Sequence, residues 1–330
     1  MEWAPIIREL GRGATGSRDL SQDAAQQLYA AVLDGQVPDL ELGAIAIALR
    51  MKTESVAEMA GFLAAANERL PKLRPPGKVR PVVIPTYNGA RRSANLTPLL
   101  ALLLQRLHVP VLVHGIGEGY GRVSSEQIFR ALGIAACSSV SQAQLAIDAT
   151  GLAYLPLSVL SPCLERQLSL RTRLGLRNSA HSLVKMLDPF AGDGLRLASA
   201  THPAYLTAMR TLLGAAGKHA LLLRGSEGEP FANPKRRPAL EYLHDGLVEL
   251  LFDAEHDSLR HLPQLPATCE AAATAEWTRG VLDGRIALPL PISNQLACCV
   301  YASGRTRTLA EAEALVATDL ALPLAQVALS

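Results

Sequence analysis

Aromatic residues are scarce in this chain, 4% of 330 residues, too few for an interleaved platform on which single-stranded bases would stack. Five cysteines, Cys137, Cys163, Cys269, Cys298 and Cys299, form no C-x-x-C pair and have no histidine at zinc spacing, so they read as small buried side chains. No run of about eighteen apolar residues occurs, and the opening MEWAPIIREL lacks a basic patch followed by an apolar stretch and cleavage site. Neither a membrane span nor a secretory signal is expected, and the protein reads as cytoplasmic. Net charge is small too, with 32 lysines and arginines against 30 acids.

A hydrophobic content of 49% is enough for a large core and, at this length, for two domains. Residues 1–70 read as helices: Asp19 to Leu33 with Ser21 near its start, Leu40 to Met51, and Ser55 to Leu70 opening on a capping-box pattern, Ser55-x-x-Glu58. The proline-rich PKLRPPGKVRP, from Pro71 to Pro81, is a hinge. Beyond it, apolar strands alternate with helices. Leu152–Leu157 and Ala220–Leu223 read as strands, and Leu168–Leu187 as a further helix that returns to the N-terminal ones.

The stretch from Val82 to Gly133 says most. Val82, Val83 and Ile84 suit a strand covered on both faces, which Pro85 should end. Thr86, Tyr87, Asn88 and Gly89 are turn residues, and Arg91 and Arg92 follow at once. Asn95 is placed to cap a leucine-rich helix whose first turn holds Thr97 and Pro98. A helix N-terminus beside two arginines favours a phosphate. Val111–Val113 begin the next strand, completing a βαβ unit. The glycine-rich Gly115–Gly121 loop is no dinucleotide fingerprint: no start within it gives G-x-G-x-x-G, and no acid lies at the ribose-binding distance.

Charge is segregated along the chain. Arg69, Lys72, Arg74, Lys78, Arg80, Arg91 and Arg92 face only Glu68; Arg166, Arg171, Arg173, Arg177 and Lys185 form a second cluster; Arg224 and Lys235-Arg236-Arg237 form a third. Compensating acids run from Glu241 to Asp257 without a lysine or arginine between. Such spacing can make a near-neutral protein locally basic, although each cluster alone also fits a solvated face.

The order of helical lobe, glycine turn, N-x-T helix start, His-Gly strand end and R-x-x-L-G-x-R resembles the anthranilate phosphoribosyltransferase and pyrimidine nucleoside phosphorylase superfamily (glycosyltransferase family 3) over nearly the whole chain. Within it the likeness is to the YbiB-like branch, carried by Ile84-Pro-Thr-Tyr-Asn-Gly-Ala-Arg91, Arg177-Asn-Ser-Ala-His181 and Arg224-Gly-Ser-Glu-Gly-Glu229. The resemblance implies an α/β protein: a small all-helical domain, 1–75 completed by helices within 165–190, and a large domain, 76–330, with a mostly parallel central sheet flanked by helices. It also implies a homodimer formed through the helical domain.

Thr86, Asn88, Gly89, Asn95, Thr97, His114 and Gly115 match the family's site, but other positions depart from it. Tyr87 stands where backbone should approach pyrophosphate, so crowding is expected there. Val113 and Ile116 replace a lysine and an asparagine, and the serine pair falls on Tyr120 and Gly121, with Arg122 keeping a charge nearby. The family's magnesium-binding Asp-Glu pair falls on Pro230 and Phe231, which offer no oxygen ligand. No catalytic residue, metal or cofactor is therefore expected, and nucleic acid is the expected partner, on Arg91, Arg92, Arg122, Arg171, Arg173, Arg177, Lys185, Arg224, Lys235, Arg236 and Arg237. The alternative is a phosphoribosyl or related glycosyl transferase whose magnesium is held by Glu227 or Glu229.

Overall fold

Helices fill the first seventy residues of the computed structural model, which describes residues 2–13, 15–117, 121–257 and 263–320. They are Trp3–Leu10, Gln22–Leu33, Asp39–Lys52 and Val56–Glu68. The second starts later than Asp19 because Ser21 takes the cap, its Oγ accepting the Ala24 N–H at 3.2 Å. Asp19 is left outside to pair with Lys52 at 2.5 Å. The fourth carries the full capping box: Ser55 Oγ accepts from Glu58 N at 3.2 Å and Glu58 Oε2 from Ser55 N at 2.8 Å. Glu58 is fully buried and also takes Lys52 Nζ at 2.7 Å and Leu20 N at 3.0 Å.

The single helix expected over Leu168–Leu187 is instead Pro162–Leu174 and a short turn, Ala180–Leu183. Gly175, at φ +70°, closes the first in the left-handed conformation that ends helices. The chain divides into two compact units, 1–71 with 157–189 and 72–156 with 190–330.

The second unit is built on seven strands among the described residues: β1 Val82–Thr86, β2 Val111–Gly115, β3 Leu152–Pro156, β4 Leu195–Ala200, β5 Ala220–Arg224, β6 Leu240–His244 and β7 Leu247–Phe252. Their order is β3-β2-β1-β4-β5-β6-β7, parallel through β5, with β6 and β7 antiparallel. The leucine-rich helix, Thr97–Arg106, is buried at Leu99, Leu100, Leu103 and Leu104, as an element apolar nearly all round requires.

Pro85 does not end β1. Val82 N donates to Pro110 O and Thr86 O accepts from Ile116 N, so alternate residues face β2. By that alternation Pro85 faces β4, where pairing has already stopped at Val83, and its missing N–H breaks no bond. Parallel β1, β2 and β5 deliver their following loops to one edge of the sheet, the usual place for ligands in such folds. No described helix is long and apolar enough to cross a membrane.

Candidate functional site

Two loops meet at that edge, one running on from β1 (residues 86–97) and one from β5 (residues 225–231). Gly228 sits at φ +91°, and a Cβ there would meet Asn88 Nδ2 at 2.6 Å, so only glycine lets the loops close this far. Glu229 is fully buried and lies inside the β1 loop. Its Oε1 accepts from Asn88 N at 2.7 Å and Gly89 N at 2.8 Å, while its Oε2 accepts from the Thr86 hydroxyl and, at 3.3 Å, from Thr97 Oγ1. Ser125 Oγ braces the seat, within 2.6 Å of Thr86 Oγ1 and accepting from Asn95 Nδ2 at 2.9 Å. The helix begins at Thr97, so Leu96 and not the expected Asn95 takes the cap position, without a side-chain bond; Asn95 Oδ1 accepts from Thr97 N at 3.1 Å from one residue outside it.

A second seat adjoins the first. Glu227 accepts from the backbone of Arg91 (3.1 Å), Arg92 (2.9 Å) and Ser93 (2.9 Å) and from Ser93 Oγ (3.0 Å). Arg122 Nη1 lies 3.5 Å from the same carboxylate and 3.3 Å from Gly89 O. Burial raises the Glu227 carboxyl, but the amides of Arg92, Arg91 and Ser93 and the Ser93 hydroxyl outweigh it, and its pKa falls below the ordinary value. Consecutive N–H groups converging on an oxygen form an anion nest. Both nests are therefore real, and both are filled by the protein's own carboxylates.

This corrects one expectation. Tyr87 does not crowd the cradle: it is buried, with its hydroxyl 2.6 Å from His114 Nδ1 and its ring edge-on to the imidazole. Burial lowers the His114 pKa to about 3 and keeps the ring neutral. Nor do Glu227 and Glu229 suit magnesium, since their oxygens face N–H and O–H donors, whose positive ends oppose a cation. Pro230 and Phe231 are buried, with Gln295 bonding Pro230 O and Ala232 N at 2.7 Å each. Among the described residues no group of three or more His, Cys, Asp or Glu side chains could hold a metal ion.

One member of the first basic cluster, Arg92, meets the third. A cleft of about 840 Å³ is lined by Arg92, Arg224, Lys235, Arg236 and Arg237 against two acids, Glu227 and Glu255. Both acids are committed: Glu227 to the nest, and Glu255 to Arg237, whose backbone N–H it accepts at 2.9 Å and whose guanidinium lies 3.7 Å away. Arg237 also bonds Asn294 Oδ1 at 3.0 Å and lies 4.9 Å from the Phe252 ring centroid, so the acidic run reaches back onto this cluster. Arg92, Arg224, Lys235 and Arg236 are exposed.

The second cluster belongs to the helical unit. There Arg177, Arg171 and Lys185 act on His181, whose pKa falls to about 3, first through burial and then through those charges. Arg173 pairs with Asp39 at 3.2 Å. Cys137, Cys298 and Cys299 are buried, whereas Cys163 and Cys269 are half-buried. Tyr120 lies outside the described residues.

A family model described as the helical bundle domain of a glycosyl transferase family matches residues 4–69. The uncharacterized protein YbiB of Escherichia coli (strain K12) is 43% identical over 318 residues, 96% of this chain and 99% of YbiB. The anthranilate phosphoribosyltransferase of Persephonella marina is 29% identical over 68% of this chain and 66% of its own length. In fold, the anthranilate phosphoribosyltransferase of Thermus thermophilus superposes with a TM-score of 0.77 at 22% identity, covering 96% of this chain and 94% of that one. The loops at the strand ends, the helical lobe and this kinship converge: the chain belongs to the YbiB-like branch of the anthranilate phosphoribosyltransferase and pyrimidine nucleoside phosphorylase superfamily, glycosyltransferase family 3.

Proposed function

We propose that this chain is a non-catalytic phosphoribosyltransferase-like protein that binds nucleic acid, single-stranded DNA or RNA, with little sequence specificity. The observation that carries the reading is the pair of carboxylates seated in the phosphate loop beside an arginine-lined cleft. With Glu227 and Glu229 bound to amides, the loop presents no oxygen pair for magnesium, and the exposed charge left at this edge is basic. Phosphates held by Arg92, Arg224, Lys235 and Arg236 give affinity without base readout. Filter binding of a single-stranded oligonucleotide at low and high salt tests this. Retention should fall steeply with salt, and the double variant R224A/R236A should flatten the log–log slope by about 0.7 per lost contact. Absent or salt-independent retention overturns the reading.

Kinship favours a second reading, a magnesium-dependent phosphoribosyl or glycosyl transferase, because relatives other than YbiB over most of the chain, at 22% and 29% identity, are anthranilate phosphoribosyltransferases. This bears on sugar-phosphate chemistry more directly than on nucleic acid. Titration calorimetry with phosphoribosyl pyrophosphate and magnesium decides it: about micromolar binding with turnover supports the transferase.

A homodimer through the helical unit accompanies both readings. It is supported by an apolar cleft of about 770 Å³ that includes Ile7, Leu40, Ala44, Ile47 and Met51, with Leu40 82% exposed. Sedimentation showing a monomer at working concentrations would sink this part.

A further inference from the structure

We infer that Glu227 is an internal ligand, a carboxylate seated in a backbone N–H nest at the mouth of the basic cleft, and that an incoming diphosphate group competes with it for the donors of residues 91–93. The two seats, residues 86–89 with Thr97 and residues 91–93 with Arg122, are separated in the chain only by Ala90. Together they offer five backbone N–H groups and three hydroxyls to two acidic side chains. An ionised carboxylate left without such donors in a fully buried position would be strongly disfavoured, so the donors and the acids define one another.

The seats differ in access. Glu229 is sealed, whereas Gly225, Ser226 and Glu227 line the basic cleft, so an anion reaching residues 91–93 enters from there. The holding loop is also under backbone strain. Glu227 sits at φ +51°, a left-handed conformation that a residue with a Cβ adopts at a penalty, followed by Gly228 at φ +91°. That turn is closed by Ser226–Glu229 backbone bonds, so release of the Glu227 side chain leaves it in place and removes a negative charge from the mouth of the seat. The inference does not depend on nucleic acid: failure of the cleft to retain an oligonucleotide would leave it standing, and its own failure would leave the cleft reading intact.

Titration calorimetry of inorganic diphosphate into the full chain, without added metal, tests the competition. E227A should bind diphosphate about tenfold more tightly than the wild type. E255Q, which removes a charge from the same cleft but leaves the nest filled, should gain less than about twofold. No gain in E227A, or an equal gain in E255Q, overturns the inference, the second because it would reduce the effect to general charge. Should E227A lose its cooperative melt, E227Q takes its place. Its neutral side chain should still give a several-fold gain, and no gain there is equally fatal.

Discussion

Removing the Glu229 carboxylate is the sharpest perturbation of this site, and its magnitude can be worked from the donors left behind. In E229A two buried amides, Asn88 N and Gly89 N, lose their acceptor. The Thr86 hydroxyl keeps Ser125 Oγ at 2.6 Å as a partner, and the 3.3 Å contact from Thr97 is weak, so the hydroxyls add little. At about 1–3 kcal/mol for each orphaned buried donor, and with water entering the vacated space, the loss should be about 3 kcal/mol. E229Q should behave differently. Its amide oxygen can retain both backbone bonds on the Oε1 side, and its NH2 faces two hydroxyls free to turn and accept, so its loss should be about 1 kcal/mol. Urea denaturation followed by Trp277 fluorescence in a W3F background reads the α/β unit, because Trp277 is buried there and Trp3 lies in the helical unit. A loss under about 1 kcal/mol in E229A, or equal losses in the two variants, would refute the donor accounting.

His114 should stay neutral well into acid. Its pKa is depressed to about 3 against 6.5 for the exposed ring, so its contribution to stability is full above pH 6.5 and is lost as pH falls toward about 3. An NMR titration of its ring protons with a midpoint near 6.5 would contradict this. In the helical unit, S55A removes one cap bond and should lower stability by about 1 kcal/mol. E58A removes the acceptor of Ser55 N, Leu20 N and Lys52 Nζ and should lower it by about 3 kcal/mol or more, measured by chemical denaturation. Equal losses would mean that Glu58 acts only as a cap.

Much was legible from residue order alone. The fully buried strand at Val82, the leucine-rich helix after Asn95 and the Ser55–Glu58 box are written in apolar period, turn chemistry and capping, which act over a few residues. Limits of that reading are equally local: Pro85 looks like a strand end until its orientation relative to β4 is known, and Gly175 is easily passed over within a helical pattern. The sequence by itself determined the family and the two-part architecture. The tertiary structure alone decided what Glu227 and Glu229 do. Their partners lie more than a hundred residues earlier, and only the parallel order β1-β4-β5 carries both loops to one edge of the sheet. The same topology brings Arg92 beside Arg224 and Lys235, and hydrogen-bonding partners that far apart in the chain have no signature in local composition.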